Sequence, residues 1–192
     1  MKFSHILILI TTLSFQTLAQ EMKTYKIEFD WQNEIANKIN KDALDYFYLL
    51  PSVFINCEGA SMGMYKTLEN RRSIKPKLSE DRDYLGFYRV AELSVLRKSH
   101  GGDVIAIQSG RCAAGNTCGA INSTFVFEGG VWKESSGILP KSINDVLVAP
   151  ADEICPYIDL SKTKNGVVLM DLYSEKPIAE AIWNGKRFVE KK

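Results

Sequence analysis

The sequence is poor in histidine, with two in 192 residues, and one of these, His5, lies in an N-terminal apolar segment. The chain therefore has too few imidazoles for a histidine-rich metal site. Any Ser-His or Cys-His catalytic pair would have to use His100. His100 stands in the sequence Ser-His-Gly-Gly, and paired glycines are typical of turns. We therefore interpret His100 as a turn residue and predict no catalytic histidine.

An excess of charge of either sign is also missing. The 24 basic and 23 acidic residues nearly cancel, whereas nucleic-acid-binding domains are usually clearly basic. The densest basic run, residues 71–77, is followed at once by Glu80, Asp81 and Asp83. The charge pattern argues against a nucleic-acid partner and against a basic face that would bind a membrane surface.

The sequence has no hydrophobic run of the roughly 20 residues that span a bilayer. A shorter apolar stretch, residues 6–13, follows Lys2 and precedes the small residues of Thr17-Leu18-Ala19. Basic, apolar and small-residue zones in this order are typical of a secretory signal peptide. We predict a signal peptide over residues 1–19 and a single globular domain over residues 20–192. The mature protein is expected to be exported, to a periplasm or out of the cell, without a membrane span.

Cysteine is scarce but even in number, with four residues. An even number in an exported chain indicates disulfides, and three pairings are open. The short segment between Cys112 and Cys118 can turn the chain tightly, which favours that pair and leaves Cys57–Cys155. No Cys-x-x-Cys pair is present, so we predict neither a zinc site nor a redox motif.

The helical signal is confined to the first third of the chain. Residues 31–50 carry apolar side chains at intervals of three and four, which predicts one amphipathic helix. Asp30 is its expected N-cap and Pro51 marks its expected end. Residues 71–83 are polar, and we expect a long loop there.

Most of the remaining sequence predicts strands. Short apolar or alternating segments, separated by turn residues, occur at residues 23–29, 84–98, 103–109, 121–128, 131–133, 166–173, 178–183 and 187–189. Asn184-Gly185 is a strong hairpin signal. The predicted fold class is α+β: one N-terminal amphipathic helix packed on a twisted antiparallel β-meander of six or more strands, with two disulfides.

The sequence contains weak signals for enzyme chemistry. The glycine-containing run at residues 110–115 lacks the Gly-Lys-Ser/Thr ending of a phosphate loop, and we predict no cofactor. Two acids that face each other across a cleft could hydrolyse a glycoside. The acids on or near predicted strands are Glu58, Glu92, Asp103, Glu128 and Asp171. Because acids on a sheet usually face water, a carboxylate-dependent hydrolase acting on glycans is an alternative hypothesis.

The loop at residues 109–120 is rich in small residues, is expected to be closed by a disulfide and carries one charge, Arg111. A rigid loop loses little entropy on binding, although a disulfide can also serve stability alone. We predict Arg111, Asn116 and Thr117 as contact residues. The sequence favours a non-enzymatic, exported binding protein whose partner is another protein. Its expected form is an inhibitor or immunity-type protein acting on an extracytoplasmic hydrolase, with a structural envelope protein as a further alternative.

The export hypothesis predicts that the mature protein begins at Gln20. Intact-mass measurement of the exported protein should give the mass of residues 20–192. The variant Ala19→Arg should remain uncut, because a large side chain replaces the small residue before the cleavage site. The variant Gln16→Arg, outside the small-residue positions, should still be cut, and a mature protein that begins elsewhere contradicts the prediction.

Overall fold

The structure is a computed structural model. It describes residues 22–54, 66–87, 91–98, 102–109, 121–147, 155–162, 166–171 and 173–191. The predicted signal peptide lies outside these ranges, as does the cysteine loop predicted at residues 109–120 apart from Ser109, which ends a strand. A helix needs about 20 apolar residues to span a bilayer, and the helices among the described residues fall short of this in length and hydrophobicity.

Two antiparallel sheets form most of the described chain. The larger contains β1 (Thr24–Lys26), β2 (Lys77–Leu78), β3 (Tyr84–Phe87), β4 (Ala91–Leu96), β5 (Val104–Ser109), β6 (Ile121–Glu128) and β7 (Val131–Glu134), in the order β1-β7-β6-β5-β4-β3-β2. The smaller contains β8 (Pro156–Asp159), β9 (Val167–Asp171), β10 (Pro177–Trp183) and β11 (Phe188–Glu190), in the order β11-β10-β9-β8. The prediction of one meander on one helix is therefore wrong.

Short helices complete the described elements. They are α1 (Gln32–Ala36), α2 (Ala43–Leu49), α3 (Leu68–Ser73) and α4 (Lys141–Leu147), with single 3₁₀ turns at Ser52–Phe54 and Leu160–Lys162. α3 and β2 occupy part of the segment for which a long loop was expected. Thr67 caps α3, since its hydroxyl accepts a hydrogen bond from the Asn70 N–H.

The larger sheet is buried on both faces, and this explains why a second sheet exists. On β4 and β5, Leu93 and Ile105 pack with the helices in one core. Alternate residues, Leu96, Val104 and Ala106, pack against the smaller sheet in a second core. Strands buried on both faces have nearly continuous apolar sequences, as in the Val-Ile-Ala-Ile run that begins β5. The layers follow the order α1–α3, larger sheet, smaller sheet, and α4 packs in the second core with the smaller sheet.

The single helix predicted over residues 31–50 is divided in two. α1 begins after Trp31, not at an Asp30 cap. A new N-cap at Asp42 starts α2: its carboxylate accepts a hydrogen bond from the Asp45 N–H, and Asp45 reciprocates in a capping box. Between the helices Ile39 is 96% exposed. The local capping chemistry of Asp42 thus overrides the apolar spacing that suggested one helix.

The described residues do not contain the two predicted disulfides. Of the four cysteines, Cys155 alone lies in the described part of the chain, where it is buried. Cys57, Cys112 and Cys118 lie outside it, so no complete bridge falls within the described residues. The second core is formed by apolar packing between the two sheets.

The C-terminal end of α2 is held by side chains from distant parts of the chain. The last carbonyls of a helix have no partner within the helix. The Arg71 guanidinium donates to the carbonyls of Phe47, Tyr48 and Leu50 at 3.3, 2.8 and 2.6 Å. The Trp132 indole donates to the Leu49 carbonyl at 3.0 Å. Helix end, α3 and β7 are therefore fixed to one another.

Gln32 and two aromatic rings complete this arrangement. The Gln32 amide donates to the Tyr48 carbonyl at 2.9 Å, and its oxygen accepts from the backbone N–H groups of Glu28 and Phe29. The Arg71 guanidinium lies 5.3 Å from the centre of the Trp31 ring and 5.9 Å from that of Phe29. Burial lowers the pKa of Arg71 to about 10, so the side chain stays charged at neutral pH.

Replacing the buried guanidinium should destabilise the protein strongly. In Arg71→Met the aliphatic volume is largely kept while three carbonyls lose a charged donor, and a hydrogen bond to a charged group contributes about 1.5–3 kcal/mol. We expect the free energy of unfolding in urea to fall by about 3 kcal/mol or more. The neighbouring Arg72 is exposed, and Arg72→Met should change it by less than about 0.5 kcal/mol. Equal stability of the two variants contradicts this role of Arg71.

Candidate functional site

Several residues singled out from the sequence lie outside the described residues. They are the predicted contact residues Arg111, Asn116 and Thr117, the turn residue His100 and the acid Glu58. Their predicted roles stay predictions. The other four acids lie in the described part, and each has a defined environment.

Glu92 joins the two sheets. Its carboxylate accepts a hydrogen bond from the backbone N–H of Leu160 at 3.0 Å, which ties β4 to the smaller sheet's 3₁₀ turn. It also accepts the hydroxyl proton of Tyr84 in a hydrogen bond; burial and the negative charge of Glu92 raise the pKa of that tyrosine. Glu92 thus acts as a structural acceptor at the junction between the layers.

Asp103 belongs to a network with Arg97. The Arg97 guanidinium contacts Asp103 at 2.5 Å and Asp83 at 2.6 Å. The Tyr46 hydroxyl donates to Asp103 at 3.3 Å, and burial, together with the charge of Asp103, raises the pKa of Tyr46. Glu92 is well separated from this network. Along β4 it lies four positions from Leu96, whose partner Val104 directly follows Asp103, and four positions correspond to about 13 Å at 3.3 Å per residue.

Asp171 organises the turn between β9 and β10. Its carboxylate accepts hydrogen bonds from the N–H groups of Cys155, Tyr173 and Ser174 and from the Ser174 hydroxyl. These bonds, led by the Ser174 hydroxyl, lower the pKa of Asp171 to about 2. Asp171 is therefore an ionised structural group that holds the turn containing Tyr173.

The structure does not bring the four described acids into one cleft. Glu128 is exposed at the turn between β6 and β7, where it contacts Lys133 at 3.2 Å. Asp171 lies opposite Pro156 in the smaller sheet. Within the described ranges, no group of three or more His, Cys, Asp or Glu side chains is placed to hold a metal ion. Glu92, Asp103 and Asp171 serve the fold, and none of the four acids forms a facing pair with another.

The outer side of the smaller sheet carries several exposed apolar side chains, and we name it the β8–β11 face. Its strands alternate between buried residues, which face the second core, and more exposed residues, which face outward. Ile178, Ile182 and Val189 on this face are 39, 41 and 37% exposed. The less exposed members of the face are Tyr157, Val168 and Met170.

The strand register brings most of these side chains together, while Ile178 lies at a bulge between Pro177 and Ala179. Ile182 lies directly opposite Val189, and Tyr157 lies opposite Met170. Glu180 contacts Lys191 at 2.7 Å on the same face. Glu180 lies between Ile178 and Ile182 on β10 and opposite Val168, and Asp159 lies opposite Val168 on its other side. Aliphatic side chains therefore flank a charged row in which the Glu180–Lys191 pair cancels its own charge. Such a surface can make contacts by burial of apolar area, without bond-making chemistry.

In β10 the alanines are more buried than the isoleucines, so the sequence alone does not predict this face. Ala181, which is buried, alternates with Ile182 and Glu180, which are exposed. The larger apolar residues would normally be assigned to the core side of a strand. Small side chains face inward here, where the two sheets pack against each other. The alternation of alanine with isoleucine in β10 was therefore the sequence pattern that could have indicated an exposed apolar face.

Comparison with known proteins gives no relative to guide the assignment: no protein family, curated protein or solved structure matches the chain.

The hydrogen bonds of Asp171 predict a pH-dependent contribution to stability. Its pKa is lowered on folding from 3.8 to about 2, so its ionised form stabilises the folded state above pH 3.8 and this contribution is lost as the pH falls towards 2. Asp171→Asn should therefore be less stable than the wild type at pH 6, and the difference should shrink between pH 4 and pH 2. Urea unfolding across this range measures it.

The exposed Asp145 provides the control for this experiment. Asp145→Asn should change the free energy of unfolding by less than about 0.5 kcal/mol, because this side chain lies on the outside of α4 and pairs with the exposed Lys141. A stability difference for Asp171→Asn that stays constant from pH 6 to pH 2 contradicts the role given to the Asp171 carboxylate.

Proposed function

We propose that this chain is an exported, non-enzymatic protein that binds another protein through the β8–β11 face. The observation that carries the proposal is the exposure of Ile178, Ile182 and Val189 on one sheet face while the opposite face is buried in the core. Antiparallel sheets with one face in water normally place polar residues on that face. Exposed apolar side chains grouped on one face of a protein mark interaction sites.

The size of the face suits the centre of a protein interface. Four strands about 4.8 Å apart, over about five residues of 3.3 Å each, cover roughly 300 Å². A standard interface buries about 800 Å² on each partner, with an apolar centre and a polar rim. The β8–β11 face would supply the centre of the interface, with the Glu180–Lys191 pair enclosed in it as an ion pair that neutralises itself.

The charges of the face specify the chemistry of the partner. Glu180 and Lys191 neutralise each other, and the whole chain has a net charge of +1. Nucleic acids and anionic membranes are bound through an excess of basic residues. An apolar, nearly uncharged surface of another protein fits the β8–β11 face best.

The signal-peptide pattern of residues 1–19 supports a partner outside the cytoplasm. An inhibitor or immunity-type protein acting on an extracytoplasmic hydrolase remains the specific form that we propose. A preformed sheet face suits this role, since rigid contact surfaces lose little entropy on binding. A hydrolase acting on glycans has no comparable support, because Glu92, Asp103, Glu128 and Asp171 do not form a facing pair.

The proposal predicts that a charge placed among the exposed aliphatic side chains of the face abolishes binding. Wild-type protein, Ile182→Glu and Ile39→Glu would be used as baits in extracytoplasmic extract, and retained proteins identified by mass spectrometry. Ile39 is a matched control because it is an exposed isoleucine far from the sheet. A partner should be retained by wild type and Ile39→Glu and lost with Ile182→Glu.

Titration of that purified partner should show affinity at least about tenfold weaker for Ile182→Glu, as expected when an apolar contact residue of an interface is replaced by a charge. Circular dichroism must show all three proteins folded. Retention of the same proteins by all baits contradicts the proposal. Sedimentation showing a wild-type dimer that Ile182→Glu dissociates would assign the face to a second copy of this chain instead.

A further inference from the structure

A pocket of about 340 Å³ opens at the junction of the two sheets, away from the β8–β11 face. Its walls come from the turn before β3, the end of β4, the 3₁₀ turn after β8 and the end of β10. The side chains on which its chemistry depends are Ser79, Asp83, Tyr84, Arg97, Ser161 and Trp183. Because these elements belong to both layers, the pocket exists only in the assembled fold.

Two aromatic rings form part of the walls and are fixed by the fold. The Tyr84 hydroxyl lies over Gly86, where a Cβ would come within 3.1 Å of it. Glycine at this position therefore leaves room for the ring along β3. The Trp183 ring packs edge-to-face on Phe188 at 5.2 Å, and its indole N–H donates to the Arg97 carbonyl at 3.1 Å.

The donors that line the pocket are already engaged within the protein. The Ser79 hydroxyl donates to Asp81 at 2.6 Å and the Ser161 hydroxyl to Asp159 at 2.5 Å. Tyr84 donates to Glu92, and Trp183 to a backbone carbonyl, as described above. A ligand in this pocket would therefore find few hydrogen-bond donors to satisfy its own acceptors.

The Arg97 guanidinium is engaged in the same way. It donates to Asp83, to Asp103 and to the Lys41 carbonyl. Its positive charge thus faces two carboxylates. Asp81, which also lines the pocket, adds a further negative charge on this side of the protein.

An acceptor is left available. Both hydrogen bonds from Arg97 to Asp83 end on Oδ1, and Oδ2 of Asp83 accepts none from the described residues. The charged residues that line the pocket are Asp81, Asp83 and Arg97, so its lining carries one more negative charge than positive. Acceptors, negative charge and aromatic rings together form the chemistry that recognises an ammonium group.

We propose that this pocket binds a small organic cation with a primary ammonium group on a compact apolar body. The ammonium would donate to Asp83 Oδ2, and the body would lie against Tyr84 and Trp183. The volume lies at the low end of the range for ligand pockets, about 300–1,000 Å³, which limits the ligand to a molecule of roughly ten non-hydrogen atoms. The site is independent of the proposed protein-binding face.

The test uses 2-phenylethylammonium chloride as the probe and 2-phenylethanol as its uncharged match. Each would be titrated into isotopically labelled protein, and the NMR shift of the Trp183 indole N–H followed, after assignment with Trp183→Phe. We expect a saturable shift with the ammonium probe and affinity for the alcohol at least about tenfold weaker, since the alcohol cannot pair with the carboxylate.

Asp83→Asn should weaken binding of the ammonium probe by at least about tenfold, whereas Asp145→Asn, which removes the same charge far from the pocket, should leave it unchanged. Ser161→Phe at the exposed rim fills the pocket without touching the Arg97 network, and should also abolish binding if Asp83→Asn does not fold. Absence of a saturable shift in the wild type, equal affinity for the two probes, or unchanged binding by Ser161→Phe overturns the proposal.

Discussion

The carbonyl groups that end α2 impose the constraint on which the helical layer depends. They lie against the first core, where an unpaired carbonyl would cost about 1–3 kcal/mol. Arg71, Gln32 and Trp132 each donate to this helix end from a separate part of the chain. A short helix of seven residues thereby becomes the point at which α1, α3 and β7 are joined. The position of the larger sheet under the helices follows from these contacts.

Local patterns predicted many of the strands. The predicted strand at residues 121–128 coincides with β6, and the Asn184-Gly185 signal lies between β10 and β11, with Gly185 at a φ of 86°. The helix boundary and the second sheet were not predicted. The first depends on the capping box at Asp42. The second depends on which side of β5 each apolar residue faces, and a continuous apolar run does not reveal that.

The candidate surfaces were harder to predict than the strands. Ile182 would be placed in the core by hydrophobicity, and its exposure follows from the small Ala181 facing the opposite sheet. The pocket unites Asp83 and Trp183, which come from different sheets and share no sequence motif. Such groupings depend on how the layers pack. The sequence shows that these residues are present, but it does not predict that they lie together. The predicted contacts of the cysteine loop remain predictions.

Because β5 is buried on both faces, the stability of each core depends on the other. Ile105 and Ile107 contribute to the helical core, while Val104 and Ala106 contribute to the core between the sheets. Loss of either outer layer would expose one side of the same strand to water. The layers should therefore unfold in one cooperative step. Backbone amides of β4 and β5 would then exchange their hydrogens with solvent only through global unfolding, and these strands would form the most protected part of the molecule.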